Sequence, residues 1–272
     1  MPSVLVMPRL AGSGLDRSWR RIATGGCFLL FAFCALTVGL GIAPLLKLAS
    51  PDRAVSQRRV RRVVGLACRG FVTVLRGLGL IDYRLVDGER LRHPGRLVLA
   101  NHPSLIDALF LLAYTPNAGC IVKGRLARHP VTRHVIQSAG FIANRNPRRV
   151  IAEACRALEN GQSLIVFPEG TRSTPGKPIR LRRGGAIIAF SSGAAITPVR
   201  IRCEPSTLVK GIPWYRVAPR KPCFRLEIGE AMIPAEAETT LQATRDLNRR
   251  LEAYFNTFLM DEDVTRVERP GT

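Results

Sequence analysis

The sequence predicts an α/β domain, a sheet covered by helices, carried behind an apolar N-terminal helix and a basic amphipathic one. Three observations predict it. From about Tyr83 onward, short apolar runs alternate with helical stretches. Between Ile22 and Leu46 no charged residue occurs over a stretch long enough to cross a bilayer core. Between them, from Ser56 to Leu80, apolar residues recur at helical spacing beside clustered arginines.

The apolar stretch is too long for the hydrophobic core of a signal peptide, and no clear small-residue cleavage site follows it. Arg17, Arg20 and Arg21 flank one side, and Lys47, Arg53, Arg58 and Arg59 the other. Positive charge on both flanks leaves a single span and a helix lying in one leaflet both open. Gly39, Gly41 and Pro44 are placed to bend the segment near its end. In the next helix Val60, Val64, Ala67, Phe71, Val74 and Leu78 form an apolar face, with Arg58, Arg59, Arg61, Arg62, Arg69 and Arg76 around it. That pattern suits an anionic membrane surface, and also a helix packed on a soluble domain with its basic face in water; the neighbouring apolar segment favours the membrane.

Arg96–Ala100, Gly119–Val122, Gly140–Ala143, Ser163–Phe167, Ala195–Ile201 and Phe224–Ile228 read as strands. Ile106–Ala113, Pro147–Asn160 and Gly185–Ser191 read as helices, the second with Asn146 as N-cap and a stop at Asn160-Gly161. A last helix over residues 240–260 carries Leu247, Leu251, Phe255 and Phe258 on one side. The resulting division is a membrane anchor (1–50), a basic amphipathic helix (51–82), a catalytic domain (83–260) and a loose polar tail (261–272). Strand order cannot be read.

Lysine plus arginine number 41 against 20 acidic residues, a formal charge of +21 that seeks polyanions. A basic nucleic-acid-binding protein is the reading of a different class. Aromatic residues make up only 6%, no nucleic-acid motif occurs, and the apolar N-terminus has no place in one. The seven cysteines stand apart without a C-x-x-C pair, which reads as small buried hydrophobes in a reducing compartment and gives no metal site.

Two blocks carry chemistry. Asn101–Asp107 (NHPSLID) follows the strand RLVLA, and Phe167–Ser173 (FPEGTRS) follows SLIVF. Each puts ionisable groups at the carboxyl end of a strand, where open α/β sheets bind ligands. His102 can accept a proton near neutral pH, and a turn at Pro103 into a helix would bring Asp107 back to orient it. Glu169, Gly170, Thr171 and Arg172 offer an acid, a flexible backbone, a hydroxyl and a phosphate clamp. Taken singly, each block has an ordinary alternative, a turn histidine or an ion pair within one loop.

Taken together, these blocks resemble the glycerolipid acyltransferase family, typified by bacterial 1-acylglycerol-3-phosphate acyltransferases. Its first motif, N-H-x-x-x-x-D, is matched by Asn101, His102 and Asp107, and its F-P-E-G-T-R-S motif at every position from Phe167 to Ser173. Its second motif, roughly G-x-I-x-I-D-R, is matched loosely by AGFIANR ending at Arg145, and the apolar run with a central proline by AITPVRI with Pro198. Asn144 stands where that second motif has Asp, and Ala139 where it has Gly.

The resemblance implies a mixed sheet covered by helices and direct acyl transfer from acyl-CoA or acyl carrier protein to a lysophospholipid hydroxyl. It makes His102 the base, oriented by Asp107, and puts Arg145, Glu169, Gly170, Thr171, Arg172 and Lys123 at the acceptor. For Lys123 a solvated surface role is an equal alternative. The acceptor stays open between lysophosphatidic acid and another lipid of the ornithine-lipid or polyene-lipid type. The acyl thioester is a co-substrate, no other cofactor or metal is implied, and the site faces the cytoplasm at the cell membrane. No G-x-S-x-G elbow accompanies these motifs, in keeping with transfer without an acyl-enzyme.

Overall fold

The computed structural model describes residues 14–234 and 241–267, with the side chains of 258–267 excepted. Seven strands form one sheet: β1 (Asp82–Val86), β2 (Leu97–Ala100), β3 (Ala118–Lys123), β4 (Ile142–Asn144), β5 (Ser163–Val166), β6 (Ile196–Glu204) and β7 (Cys223–Ile228). Their order is β1-β7-β6-β2-β5-β3-β4. The pairs β2–β5, β2–β6, β3–β5, β3–β4 and β1–β7 are parallel, and β6–β7 is antiparallel. The sheet is therefore mixed, and its central strands run side by side with their carboxyl ends at one edge.

Residues alternate across β2, so its two faces feed two cores. Val98 and Ala100 join the first with Phe110, Ile165 and Phe224, while Leu97 and Leu99 join the second with Leu164 and Val166. On the first side lie α3 (Arg53–Gly77), α4 (Asp107–Tyr114) and α5 (Arg133–Ser138). On the second lie α6 (Pro147–Glu159), α7 (Gly184–Ser192) and α8 (Leu241–Val267). The start of α6 is as expected: the Asn146 side chain accepts from the Arg149 N–H at 3.3 Å, with Pro147 in the first turn.

The N-terminal helix runs from Gly14 to Leu48 as α1 (Gly14–Leu36), a π-helical turn (Thr37–Ile42) and α2 (Ala43–Leu48). It is long and apolar enough to cross a membrane. Yet one side of it stays on the domain along its length. Arg20, Ala23 and Cys27 are buried near its start, and Val38, Gly39 and Ala43 towards its end. Gly39 is required there, because a Cβ would lie 2.8 Å from the Cβ of His134 on α5. The opposite side exposes Leu15, Ile22, Leu29, Phe33, Leu40, Leu45 and Leu48.

Three expectations are corrected. Most of the apolar face of α3 is not free to meet a bilayer: Val60, Val64, Cys68, Val72 and Leu75 are buried in the first core, packed chiefly on α4, while Val74 stays exposed. Each such side chain contributes about 1.5–3 kcal/mol by leaving water, which holds the helix on the sheet. Arg61, counted with the basic face, is buried; its Nε donates to Asn117 Oδ1 at 2.8 Å and its Nη1 to the Ala139 carbonyl at 3.0 Å. Burial, with Arg58 nearby, lowers its pKa to about 10. Finally, α8 continues to Val267, so residues 261–267 of the expected loose tail are helical; residues 1–13 of the anchor, residue 240 and residues 268–272 lie outside the described residues. Among the strands and α-helices of the described residues, β1 and α5 lacked a sequence expectation.

Candidate active site

The site is built where β2 and β5 end. Asn101 leaves β2 and carries the ladder one step further with its side chain. Its Nδ2 donates to the Ile201 carbonyl at 2.8 Å, and its Oδ1 accepts from the Ile201 N–H at 2.6 Å. The amide thus stands in for a peptide group against β6 and fixes the direction in which the next residue leaves the sheet.

That residue is His102. Pro103 turns the chain, and Asp107 arrives at the first position of α4 with its side chain fully buried. His102 Nδ1 lies 2.9 Å from Asp107 Oδ2, and the same oxygen accepts from the Ser104 N–H at 2.7 Å. The imidazole is 19% exposed and stacks on Phe167, ring centroids 4.1 Å apart at 22°. An ionised carboxylate only accepts hydrogen bonds, so Nδ1 carries the proton and Nε2 is left with its lone pair.

The FPEGTRS loop is fastened to His102 through backbone. Glu169 Oε1 accepts from the His102 N–H at 2.9 Å and from the Ser173 hydroxyl at 2.6 Å, and the Ser173 N–H donates to the His102 carbonyl at 2.8 Å. Glu169 therefore clasps the two loops together through Oε1. Gly170 takes a left-handed φ of +69° and lies against the Arg182 side chain, where a Cβ would come within 2.8 Å of Nε. Thr171 is half-buried on the same turn. Arg172 uses Nη1 to hold the Leu208 carbonyl at 2.5 Å, which leaves the rest of its planar fork for another acceptor.

Lys123 ends β3, exposed, and feels the positive charges of Lys210, Arg172, Arg125 and Arg182; burial and then these neighbours lower its pKa. The β3–β4 register puts Lys123 beside Asn144, and Arg145 packs over Gly124, its Cγ 3.0 Å from where a Cβ would stand. Positive charges gathered in this way raise a site's affinity for an anion. Of the residues expected at the site, Asp107 and Glu169 each contact His102, Arg172 acts electrostatically on Asp107 and on Lys123, and Arg145 packs on Gly124 next to Lys123. Asn101, Ser173, Phe167 and Leu208 had no assigned role. The first three stand inside the two motif blocks, so proximity to His102 was a usable signal; for Leu208 the sequence held none.

Under α1, reaching Leu105 and Ile106 in the turn between His102 and Asp107, lies an apolar cavity of about 500 Å³ lined also by Phe31, Cys68, Leu109 and Phe141. The cysteines are free thiols, and burial holds Cys203, the one that feels Asp107, at a pKa of about 12, far from a thiolate nucleophile.

Both site carboxyls are shifted. Burial, the largest cause in each, raises Asp107 and Glu169 above the usual carboxylate range, against the pull of their hydrogen bonds. A raised folded pKa means that the native state keeps its proton more readily than the unfolded chain. Such a group's stability contribution is complete below the unfolded value and is lost as pH rises through the folded one. Glu169→Gln keeps the Oε1 acceptor and removes the charge. It is expected to melt at the same or a higher temperature than wild type at about pH 8, the difference closing below about pH 4, where both side chains are neutral. Thermal unfolding at the two pH values checks this; a lower melting temperature for Glu169→Gln at the higher pH would show that the anion itself holds the loops together.

A histidine held by a buried aspartate at the carboxyl edge of a mixed sheet is an arrangement suited to acyl transfer. Residues 84–202 match the family model described as Acyltransferase. The chain is 28% identical to a 1-acyl-sn-glycerol-3-phosphate acyltransferase of Helicobacter pylori over 68% of this chain and 74% of that one. It is 27% identical to a protein of the same name from Pseudomonas aeruginosa, over 82% and 83%. A lyso-ornithine lipid O-acyltransferase from Pseudomonas aeruginosa is 31% identical over 43% of this chain and 46% of that one. The crystal structure of the 1-acyl-sn-glycerophosphate (LPA) acyltransferase PlsC from Thermotoga maritima shares the fold, with a TM-score of 0.68 and 24% identity over 93% of this chain and 99% of that one. The chain is an acyltransferase, similar to the Acyltransferase family over residues 84–202 and to relatives named for transfer to lipid acceptors.

Proposed function

We propose that this acyltransferase moves a fatty acyl group from acyl-CoA or acyl carrier protein to the free hydroxyl of 1-acyl-sn-glycerol-3-phosphate, on the cytoplasmic face of the cell membrane. What supports this acceptor is a cationic wall, in which Lys123 feels Arg172, Arg145 packs on the neighbouring Gly124, and Arg172 acts on the Asp107 that holds a histidine whose Nε2 is free to accept a proton. A phosphate monoester one glycerol away from the reacting hydroxyl matches that pairing of anion site and base.

His102 Nε2 takes the acceptor's hydroxyl proton as the oxygen attacks the thioester carbonyl, and Asp107 stabilises the imidazolium that forms. The tetrahedral intermediate collapses with loss of the thiolate, which receives the proton from His102. The ester bond is made, the thioester bond is broken, and the free thiol leaves. The apolar cavity adjoining Leu105 and Ile106 suits an acyl chain, being of the size in which small ligands are enclosed. No metal or organic cofactor enters this scheme. The exposed apolar side of α1 and α2 seats the enzyme in one leaflet, since the other side remains on the domain from Arg20 to Ala43.

Incubating the purified, reconstituted enzyme with labelled acyl-CoA or acyl carrier protein and a panel of lysolipids tests the reading. Phosphatidic acid from 1-acyl-sn-glycerol-3-phosphate is the expected product. Asn144, in place of an acid beside the cationic wall, makes lyso-ornithine lipid the second acceptor to include, and exclusive use of it would overturn the phosphate reading.

Arg172→Lys keeps the charge but loses the planar fork. With a charge-assisted hydrogen bond worth about 1.5–3 kcal/mol, the acceptor's KM is expected to rise by about tenfold or more, and the donor's to change little. Initial rates over both substrates check it. A fall in kcat with both KM values unchanged would move Arg172 from acceptor binding to transition-state stabilisation.

A further inference from the structure

Between β6 and β7 the chain leaves the sheet over residues 205–222. One end of this loop belongs to the active site. The Leu208 carbonyl holds the Arg172 guanidinium, and the Leu208 side chain lines the apolar cavity. The far part of the loop lies on the N-terminal helix. The Trp214 ring comes within 3.3 Å of where a Gly25 Cβ would stand and meets Phe28 edge-on at 5.7 Å. The Pro219 carbonyl accepts from Arg20 at 3.2 Å.

The tip of the loop is apolar and in the open. Ile212, Trp214 and Tyr215 are each about half exposed, at 45%, 46% and 53%. They continue the uncovered face of α1, where Trp19, Ile22 and Leu29 are 50%, 72% and 75% exposed. Lys210, Arg216, Arg220 and Lys221 stand exposed on either side of that tip. Large aromatic side chains next to an apolar helix and ringed by cations are what the boundary between headgroups and acyl chains attracts. A loop exposed only to water gains nothing from such a composition.

We propose that the Ile212–Tyr215 tip is a second membrane contact, seated in the headgroup–acyl boundary of an anionic bilayer, and that it holds Arg172 at the depth of a lipid phosphate. The loop joins Trp214 at the bilayer to Leu208 at the guanidinium within a few residues. Arg172 is therefore positioned by the membrane as well as by the fold. The cations beside the tip each add about 1 kcal/mol of attraction to an anionic leaflet, so the contact weakens with salt.

The chain contains two tryptophans, so Trp19→Phe leaves Trp214 as its only one. That full-length variant is reconstituted into vesicles of phosphatidylcholine and phosphatidylglycerol carrying bromine either near the glycerol end of the acyl chains or near their methyl ends. Trp214 emission is expected to fall most with the shallow bromines and to be shielded from aqueous iodide. Quenching by iodide without quenching by brominated lipid overturns the proposal, as does quenching by neither.

Activity supplies the other arm, which rests on the membrane-borne acceptor proposed above. Trp214→Ser should raise KM severalfold for a lysolipid presented in vesicles while sparing kcat. A short-chain, monomeric lysolipid should show no change, and Trp214→Phe should restore the vesicle value. Equal losses with both acceptors would make Trp214 a packing residue and sink the positioning role. The quenching measurement needs no acceptor, so it fails or succeeds separately from the acyl-transfer reading.

Discussion

His102→Ala is expected to lower kcat by about 10²- to 10⁴-fold, the usual worth of a positioned general base. The fold should survive the change. The His102 side chain is partly exposed, and the bonds that tie its loop to the Phe167–Ser173 loop use its backbone N–H and carbonyl, which alanine keeps. Ring stacking on Phe167 is the main packing lost. Acyl transfer under saturating substrates, beside circular dichroism and vesicle binding, separates the two effects. Activity within about threefold of wild type, far below the range for a base, would remove His102 from proton transfer.

Much of this site was legible because its determinants are local. A four-residue apolar strand followed by a polar block places His102 and Glu169 at a sheet edge in any parallel arrangement of the two strands, and a Pro103 turn brings Asp107 back over five residues. What stayed hidden depends on partners distant in the chain. The Asn101 side chain acts as a ladder peptide only because β6 lies alongside β2, a register no local pattern reveals. Arg61 reads as one more cation on a basic helix until Asn117 and the Ala139 carbonyl come to meet it. Amphipathicity told that α3 hides one face, but not from which medium, and the hiding partner is α4 rather than lipid. β1 is a five-residue edge strand, DYRLV, too short for its alternation of polar and apolar residues to stand out, and α5 spans only Arg133–Ser138, too short for a helical period to declare itself. At the other end of the chain, the acidic residues 261–263 read as a tail, while the backbone carries helix on to Val267.

The carboxylate behind the histidine gives the sharpest test of how the site is wired. Asp107 Oδ2 accepts from both His102 Nδ1 and the Ser104 N–H, while Oδ1 is buried without a protein partner. Asparagine is nearly the same shape but cannot accept at both positions. With its oxygen in the Oδ2 place, its amide protons occupy the unpartnered buried spot, a cost of about 1–3 kcal/mol. With the amide turned over, nitrogen faces the Ser104 N–H and donates to His102 Nδ1, which moves the imidazole proton to Nε2, the atom that has to accept one from the acceptor hydroxyl. Either arrangement also removes the anion that stabilises the imidazolium. Asp107→Asn is therefore expected to cost about 10²- to 10⁴-fold in kcat, as much as losing the base itself, with KM for both substrates within about threefold of wild type, because neither atom of the pair binds the ground state. The double variant His102→Ala/Asp107→Asn should be no slower than His102→Ala alone, since the aspartate acts only through the histidine. Rates for the two single variants and the double check this, and a double variant slower by the product of the single losses would give Asp107 a role of its own.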